Sequence, residues 1–586
     1  MSFYPKIHML RSSVLASVLA AALIVTGGCD LNVQNPNAPD KNRAFADPAG
    51  LAKLMSGAFR TWVGARGSYF GALPMTAMAD NYTASWNNAA IRLYASVGAD
   101  CPSRCGWTNS ATASDAGLTV EGQWYGYYTV LVSANAVLAG IKNGVCFDDD
   151  CAVDSTLTVR NKTIAKMLQG MALAGIALVY DQGFVVDENT DLTSISSIPF
   201  STRVEVRDAA LQKFDEAWTE AGVATWSTDA DWMGVGAGTA YSSTQIRQVI
   251  RTMQAELIAM WPRNGAENIA ANWAQVVTDA SQGVSSGAPF DWQFFVDITG
   301  RECGDLDCVK TWGNSILTMR VDTRVAAMIT TNHVSPWPEP SGNPCPTISP
   351  DKRVGDGTYG PADNANYGTK AATANAGTDF ACSGIAIFPA ARGQYHQSNL
   401  QHIRYQRLAY EGEDLPGADG TGQDPLYTTQ MNDLLWAEGL IRSGGDKALA
   451  AQLINNSRVG RGGLTALTGG ETDTVLLDAL HYEQEVEFMG QGPTPFFNRR
   501  RIDGFSLGSL GPSVVQTGTP RQMPVPAKEM DVLQRAVYTF GGPNAPDMAS
   551  RTGGGTTGGT HDSRRTVQQI WDEYVAMQRA LSSRRY

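Results

Sequence analysis

The sequence predicts a mainly α-helical protein with a tetratricopeptide-like scaffold of paired helices and a large, loop-rich face. The first observation is that apolar residues recur at helical spacing in long stretches towards both ends of the chain. The second is that these stretches come in pairs of roughly 15 residues, as in helix–turn–helix repeats. The third is that the periodicity breaks up between residues 286 and 425, where Gly, Pro and Asn dominate.

Each predicted helix has an apolar face. In residues 51–65 the apolar side chains lie three and four positions apart: Leu51, Leu54, Met55, Ala58, Phe59 and Trp62. The next helices are predicted at 120–142, 163–181, 205–221, 244–260, from about Ala270 onward, 428–443, 446–456 and 474–489. A final amphipathic helix, from about Arg564 to Ala580, follows a flexible Gly-rich loop at 551–562.

Residues 1–28 predict a lipoprotein signal peptide. A basic start precedes an apolar run from Val14 to Val25, which is too short to cross a membrane because a spanning helix needs about 20 residues. The run ends in Thr26-Gly27-Gly28-Cys29, which resembles a lipobox with Thr26 in the usual place of Leu. Cys29 is therefore the expected lipidation site. The alternative is a plain secretory signal with an incidental cysteine.

The domain organisation follows from these patterns. Residues 29–50 are expected to be a lipidated N-terminus and a polar tether rich in Asn and Pro. Residues 51–586 are expected to form a single domain, although their length would also suit several domains. A hydrophobic content of 43% supports a proper core. Within it, the helical scaffold covers about 51–285 and 426–586, and the loop-rich variable region covers about 286–425.

The cysteines predict disulfide bonds. Of nine cysteines, Cys29 is the expected lipid anchor, which leaves an even number, and paired cysteines in an exported protein indicate disulfides. The pairs that lie close along the sequence are Cys101/Cys105, Cys146/Cys151, Cys303/Cys308 and, more widely spaced, Cys345/Cys382. Pairing of neighbours is the expectation, while other connectivities and zinc binding are the alternatives.

Charge and motif content exclude several classes of protein. A formal net charge of −12 disfavours nucleic-acid binding, which needs basic faces. No zinc-protease motif or phosphate-binding loop occurs, so we expect no catalytic residues and no cofactor, and we assign no metal site. Two G-x-S-x-G sequences, around Ser285 and Ser506, are interpreted as turns because neither lies between a strand and a helix.

Acidic residues near the end of the chain have two possible roles. Glu438 lies on an apolar helix, where a buried carboxylate needs a charged partner. Glu483 and Glu487 share a helical face, at a spacing that the acid pair of a glycoside hydrolase could use. The available cationic partners are Arg458, Arg461 and Arg499–Arg501. We favour structural ion pairs over catalysis, because charged residues on helices are usually paired or solvated.

A segment after the first helix is the best candidate for ligand binding. Residues 79–98, ADNYTASWNNAAIRLYASVG, combine aromatic, amide and charged side chains without helical periodicity. Such rings can stack on sugars while the polar groups bind hydroxyls. The candidates are Asp80, Asn81, Tyr82, Trp86, Asn87, Asn88, Arg92 and Tyr94, then Trp292, and finally Trp337. Core packing is the alternative for each aromatic residue, and the same composition also suits peptides or a neighbouring protein.

Three segments, in this order, resemble motifs of the SusD/RagB family of outer-membrane nutrient-binding lipoproteins. Residues 431–464 are similar to the family's Leu-rich helix with its IN-x-x-R-x-R-x-G-L ending. Residues 476–502 are similar to its E-R-x-x-E-L-x-x-E-G-x-R element, and residues 521–532 to its P-I-P-x-x-E signature. The sequence departs from the family's motifs in three places. Arg458 and Arg461 are one residue further apart than in R-x-R, His481 and Tyr482 stand in place of Glu and Arg, and Met489–Gly492 (MGQG) stands in place of E-G-x-R.

The resemblance implies a SusD-like fold with a ligand-binding face in the loop-rich part. It also implies a lipoprotein of the outer membrane that faces the cell exterior and is not an enzyme. Such a protein would bind a nutrient, foremost a glycan or oligosaccharide, and pass it to a TonB-dependent, SusC-like transporter as its lid subunit. Two alternatives stay open: a peptide-binding or structural surface protein on the same fold, and a secreted glycoside hydrolase.

Overall fold

The computed structural model describes residues 47–542 apart from internal gaps. The gaps are 85–86, 96–100, 102–103, 113–114, 149–151, 153–154, 192–197, 235–237, 298–306, 316–317, 330–348, 355–376, 383–395, 399, 406–407, 409–419, 503–514 and 517. The predicted signal peptide, Cys29, most of the tether and the predicted helix from Arg564 to Ala580 therefore lie outside the described residues.

Consecutive helices stack side by side in the first half of the scaffold. The helices are α1 (Pro48–Arg66), α2 (Ala72–Met78), α3 (Ile91–Ala95), α4 (Asp115–Lys142), α5 (Thr156–Val179), α6 (Arg203–Glu220) and α7 (Ser243–Met260). Helix α4 packs against α1 and α5, and α6 packs against α5 and α7. Packing of each long helix on its neighbours along the chain is the arrangement found in helical repeat proteins.

The second half continues this arrangement. Its helices are α8 (Gly265–Ile269), α9 (Trp273–Ala280), α10 (Cys308–Gly313), α11 (Thr323–Ile329), α12 (Thr429–Ser443), α13 (Lys447–Arg458), α14 (Asp473–Glu487), α15 (Thr494–Arg501) and α16 (Ala527–Val532). Helix α9 joins the two halves because it packs against both α7 and α12, and α12 packs against α13 and α14. The mainly α-helical prediction is confirmed, and the predicted helices differ from the observed ones mainly at their ends.

Short strands lie between the helices. They are β1 (Tyr82–Thr83), β2 (Gln182–Gly183), β3 (Ser201–Thr202), β4 (Trp292–Asp297), β5 (Arg320–Val321), β6 (Phe380–Cys382), β7 (Leu400–His402) and β8 (Thr421–Tyr427). The antiparallel pairs are β1–β5, β2–β3, β4–β8 and β6–β7. The β4–β8 pair joins the two ends of the region that was predicted to be loop-rich. Helix α12 therefore begins beside the chain segment that follows α9.

Capping residues determine where α6 and α7 begin. The Thr202 hydroxyl accepts a hydrogen bond from the backbone amide of Glu205 at 3.3 Å, and the Glu205 carboxylate accepts one from the Thr202 amide at 2.7 Å. Ser242 and Gln245 form the same reciprocal pair at the start of α7. These side chains satisfy amides that have no partner within the helix, a contribution of about 1 kcal/mol for each cap.

Helix α5 is a core helix. Among the described helices it is the one long and apolar enough to cross a membrane, but 89% of its most apolar window is buried inside the protein. Gly175 on α5 faces the ring of Tyr127 on α4, and a Cβ atom at this glycine would lie 2.5 Å from the ring. The absence of a side chain at Gly175 therefore lets α4 and α5 pack closely.

Two buried arginines cap the C-terminal end of α5. Arg263 donates hydrogen bonds to the carbonyls of Ala177 at 2.8 Å and Leu178 at 2.7 Å. Arg500, on α15, donates to Leu178 at 2.8 Å and to Met260, at the end of α7, at 3.2 Å. The last carbonyls of a helix have no hydrogen-bond partner within it and carry partial negative charge. The two guanidinium groups supply hydrogen-bond donors and positive charge at this end.

Candidate ligand-binding site

The candidate segment connects α2 to α4 and is anchored to the rest of the protein near its start. The Asn81 backbone amide donates a hydrogen bond to the Thr76 carbonyl at 3.1 Å. Strand β1 then pairs with β5, which places Tyr82 opposite Val321. A 3₁₀ turn at Asn88–Ala90 leads directly into α3. The anchoring places the start of the segment in the interior and leaves its polar turn at the surface.

Five of the ten candidate residues are core residues. Asp80, Asn81, Tyr82, Tyr94 and Trp292 are each 0% exposed. A sugar ring or hydroxyl group needs an accessible surface, so none of these side chains can contact a ligand in this conformation. The structure therefore corrects their prediction as ligand contacts, because the aromatic and polar side chains fill the core instead.

Asp80 is the centre of a buried ion-pair cluster. Its carboxylate lies 2.5 Å from Arg104 Nη2 and 2.7 Å from Arg324 Nη1, and it accepts a hydrogen bond from Gln516 at 2.7 Å. Burial opposes ionisation of Asp80, but the two guanidinium groups outweigh it and hold the pKa of this carboxyl below its usual value. The cluster fastens the start of the segment to three distant parts of the chain.

The buried aromatic candidates also have protein partners. The Tyr82 hydroxyl lies 2.6 Å from His402 Nδ1. The Tyr94 ring lies edge-on to Trp107, with centroids 4.9 Å apart. Trp292 packs against Trp62 and two further rings, with its centroid 5.9 Å from the nearest. Burial of large aromatic side chains against each other stabilises a core strongly, so these residues position the segment and strand β4.

The remaining candidates lie at the surface or outside the described residues. Asn87 and Asn88 are exposed, and Arg92 is partly exposed. Trp86 and Trp337 lie outside the described residues, so their roles stay predictions. The described part of the segment thus presents amide and guanidinium groups to solvent, which are suited to hydrogen bonding with hydroxyl groups.

The acidic helix α14 confirms the prediction of structural ion pairs. Arg353 is fully buried and lies 2.7 Å from Glu483 and 3.2 Å from Glu487. Arg404 lies 2.7 Å from Glu487, and Arg461 also pairs with this carboxylate. Burial opposes ionisation of Glu487, yet the arginines hold its pKa below the usual range. Because both carboxylates are buried and occupied by arginines, the glutamate pair is not available as the acid pair of a hydrolase.

Glu438 forms the second predicted ion-pair cluster. Its carboxylate lies 2.6 Å from Arg501 Nη2 and 2.6 Å from Arg442 Nε. Burial opposes ionisation, but the two guanidinium groups hold the pKa of Glu438 below its usual range. On α14, Glu485 pairs with Arg499 at 2.5 Å. The three arginines at the end of α15 are therefore all buried. Arg499 and Arg501 bind carboxylates, and Arg500 binds carbonyls at helix ends.

Sequence reasoning missed the partners that come from the loop-rich region. Arg353 is held by Asp351 at 2.8 Å, and Arg461 also binds Asp379 at 2.6 Å. The chain separation between Arg353 and Glu483 is 130 residues. Neither periodicity nor local composition carries information about contacts over such a distance. The one available signal was the excess of acidic residues on α14, which required cations from elsewhere.

The described cysteines support the disulfide prediction in part. Cys101 and Cys105 are bonded to each other as predicted. Cys146 and Cys308 are also in disulfides. Their predicted partners, Cys151 and Cys303, lie outside the described residues, as does Cys345. Pairing beyond Cys101–Cys105 therefore stays a prediction.

Two polar side chains in turns, those of Ser285 and Asp148, have structural roles. Ser285 accepts a hydrogen bond from Asn432 at 2.6 Å, within a turn that follows α9. Asp148 accepts hydrogen bonds from Ser155 and, at 3.1 Å, from the Leu157 amide at the start of α5. Among the described residues no group of three or more His, Cys, Asp and Glu side chains is arranged to hold a metal ion.

Solved structures share this fold over most of the chain. A SusD superfamily protein from Bacteroides thetaiotaomicron VPI-5482 matches with a TM-score of 0.52 at 12% identity, over 83% of this chain and 98% of that one. A SusD superfamily protein from Parabacteroides distasonis ATCC 8503 matches with a TM-score of 0.52 at 11% identity, over 82% and 98%.

A SusD-like carbohydrate-binding protein from Bacteroides fragilis NCTC 9343 matches with a TM-score of 0.51 at 12% identity, over 78% of this chain and 86% of that one. No family model matches the sequence, and no curated protein does. The similarity therefore concerns the arrangement of the helices and strands and not the sequence. This protein has the SusD-like fold.

Proposed function

We propose that this protein is a cell-surface lipoprotein that binds a glycan or oligosaccharide and passes it, as a lid, to a TonB-dependent, SusC-like outer-membrane transporter. The observation that carries the proposal is the SusD-like fold, which covers 78% of the chain in the match to a carbohydrate-binding protein. The lipobox-like sequence that ends at Cys29 supports a lipid anchor in the outer membrane. The disulfide between Cys101 and Cys105 supports an oxidising compartment outside the cytoplasm.

The exposed part of the candidate segment is our proposed contact with the glycan. Asn87 and Asn88 are exposed, and each amide offers two donors and an acceptor to sugar hydroxyls. Arg92, four positions further along, is partly exposed and adds a charged donor. Because the segment is anchored in the core, its three polar side chains lose little conformational entropy when a ligand binds, which favours hydrogen bonding to it.

Replacing both Asn87 and Asn88 with Ala is expected to weaken glycan binding about tenfold. Each lost hydrogen bond contributes about 0.5–1.5 kcal/mol, and 1.4 kcal/mol corresponds to about a factor of ten. Affinity electrophoresis of the mature protein in gels that contain amylopectin, xylan, galactomannan or pectin identifies a polysaccharide that binds. Titration calorimetry with oligosaccharides of that polysaccharide then gives the dissociation constants.

Asn143→Ala is the matched control, because Asn143 is an exposed asparagine just after α4. Its dissociation constant should equal that of the unaltered protein. Equal binding by the double variant would show that this segment is not the contact. An unaltered protein that binds none of the polysaccharides but binds members of a peptide library would replace the glycan proposal with the peptide alternative.

Replacing Cys29 with Ala is expected to release the protein from the outer membrane. Each buried methylene of an attached lipid contributes about 0.8 kcal/mol, so the loss of the acyl chains removes the anchor. Fractionation of cells locates both forms, and affinity purification from solubilised outer membranes, with mass spectrometry, shows whether a TonB-dependent transporter accompanies the anchored form. An unmodified Cys29 in the mature protein would contradict the anchor, and absence of the transporter would contradict the lid.

A further inference from the structure

Two buried carboxylates, one of them on β8, share a single lysine of α10. Lys310 Nζ lies 2.6 Å from Asp424 Oδ1 and 3.0 Å from Asp307 Oδ2. Lys310 and Asp424 are 0% exposed, and Asp307 is 4% exposed. If all three groups were ionised, the cluster would carry a surplus negative charge. A buried charge without compensation is unfavourable, and binding of one proton would remove it.

Asp424 is the carboxylate better suited to take up this proton. Asp307 precedes α10 and accepts a hydrogen bond from the Lys310 backbone amide at 3.0 Å, in addition to one from the Lys310 ammonium group at 3.0 Å. Asp424 has the ion pair with Lys310, but neither of its oxygens has a further hydrogen-bond partner in the described part of the chain. Hydrogen-bond donors stabilise the ionised form of a carboxyl group, and Asp424 has fewer of them.

The surroundings of the cluster do not supply enough positive charge. On β4 the residue opposite Asp424 is Phe294, which is uncharged, and Gln491 approaches Lys310 Nζ at 3.5 Å as a neutral acceptor. The titratable or charged side chains that face the cluster or belong to it are Arg66 of α1, Lys310, Asp307 and Tyr405. Burial and the charge of Asp307 outweigh the two cations and raise the pKa of Asp424 to about 7.

The cluster joins distant parts of the chain. Asp424 lies in the strand that ends the loop-rich region, since β8 leads into α12. At the start of α10, the Cys308 amide donates a hydrogen bond to the carbonyl of Gly67, just after α1, at 2.8 Å. The ion pair between Asp424 and Lys310 therefore connects β8 to α10 and, through α10, to the end of α1.

We infer that Asp424, Lys310 and Asp307 form a proton-dependent latch, which holds β8 firmly on α10 while one proton is bound and loosens when the proton is released. With the proton bound, Asp424 is neutral and the charge of Lys310 balances that of Asp307. Without it, a second carboxylate charge is buried and the attachment weakens. The latch is independent of the proposed function, because it controls how firmly the end of the loop-rich region is held and requires no ligand.

The latch predicts weaker attachment of β8 at higher pH. When β8 opens, the Asp424 carboxyl is exposed to water and regains its ordinary pKa of about 4, so the opened form has lost its proton above that pH. The closed form keeps its proton up to about pH 7. Opening therefore releases a proton between about pH 4 and pH 7 and becomes more favourable as the pH rises through this range.

Hydrogen exchange at pH 5 and pH 8, expressed as protection factors, measures the opening. In the unaltered protein the protection of the β8 and α10 amides should fall by about 50- to 100-fold between these pH values, because opening releases one proton. Asp424→Asn keeps the shape of the protonated side chain and removes its titration, so its protection should be nearly equal at the two pH values.

A second variant tests the latch from α10, even if Asp424→Asn does not fold. Asp307→Asn can still cap α10 but removes the surplus charge, so it should also reduce the fall in protection. Glu529→Gln is the matched control, because burial raises the pKa of Glu529 on α16 to about 7 as well, and it should keep the full fall in β8 and α10. No fall in the unaltered protein, or a full fall in Asp307→Asn or in folded Asp424→Asn, would overturn the latch.

Discussion

Replacing Arg353 with Met is expected to lower the free energy of unfolding by about 3–5 kcal/mol, because it leaves buried carboxylates without their shared cation. Arg353 is 0% exposed and contacts Asp351, Glu483 and Glu487. Met retains most of the apolar volume of the Arg353 side chain, so the loss of stability measures the missing charge rather than a cavity. Urea unfolding followed by circular dichroism measures the difference.

The loss of stability in Arg353→Met should depend on pH. Burial already raises the pKa of Glu483, and removal of Arg353 raises it further. A carboxyl with a raised pKa in the folded protein binds its proton more tightly there than in the unfolded chain. The folded protein therefore loses stability as the pH rises and this proton is released. The deficit of Arg353→Met should therefore be smaller near pH 5 than at pH 8.

Arg458→Met is the control for this cluster. Arg458 is partly exposed and lies 3.7 Å from Glu483, so its loss should change the free energy of unfolding by less than about 1 kcal/mol. Equal effects of the two substitutions, or a deficit for Arg353→Met that does not change with pH, would contradict the buried-charge explanation.

Replacing Trp292 with Ala is expected to lower the free energy of unfolding by about 3–5 kcal/mol through the cavity that it leaves. The indole is 0% exposed and packs against Phe59, Trp62 and Tyr427, with centroids 6.2, 5.9 and 6.0 Å away. Because the ring connects β4 to α1, its loss removes contacts between distant parts of the chain. Thermal and urea unfolding of the purified variant measure the effect.

Trp292→Phe tests the corrected role of this residue. A phenylalanine fills part of the space, so the loss of stability should be smaller, and the affinity for the polysaccharide identified in the gel assay should stay unchanged. A large loss of affinity in a folded Trp292→Phe protein would restore Trp292 as a ligand contact.

Local patterns were sufficient to predict most of the scaffold. Helices α1 and α12 show apolar residues at helical spacing, and this pattern predicted them. Glu438 was predicted to need a cation because a buried carboxylate on an apolar helix cannot stay unpaired, and Arg501 supplies it at 2.6 Å. These predictions succeed because their physical causes act within a few residues or on a single buried charge.

The candidate site could not be predicted as well, because burial there depends on distant residues. In a sequence, a Tyr or Trp that stacks on a sugar cannot be distinguished from one that fills the core. Only the contacts of Tyr82 with His402 and of Trp292 with Tyr427 show that both residues belong to the core. Strand β4 was missed although Trp292, Phe294 and Val296 alternate with more exposed residues. Its short length and the surrounding glycines and prolines obscured the alternation.

The ion pairs between α14 and the loop-rich region have a consequence for changing the protein's specificity. Asp351, Arg353, Asp379 and Arg404 are contributed by the loops, and Glu483 and Glu487 by the scaffold. These residues are attachment points, at which the described parts of the loop-rich region are fixed to the scaffold. Under the proposed function, loops transplanted from another protein between these attachment points are expected to change the ligand, provided that the charged residues of the ion pairs are transplanted or kept with them.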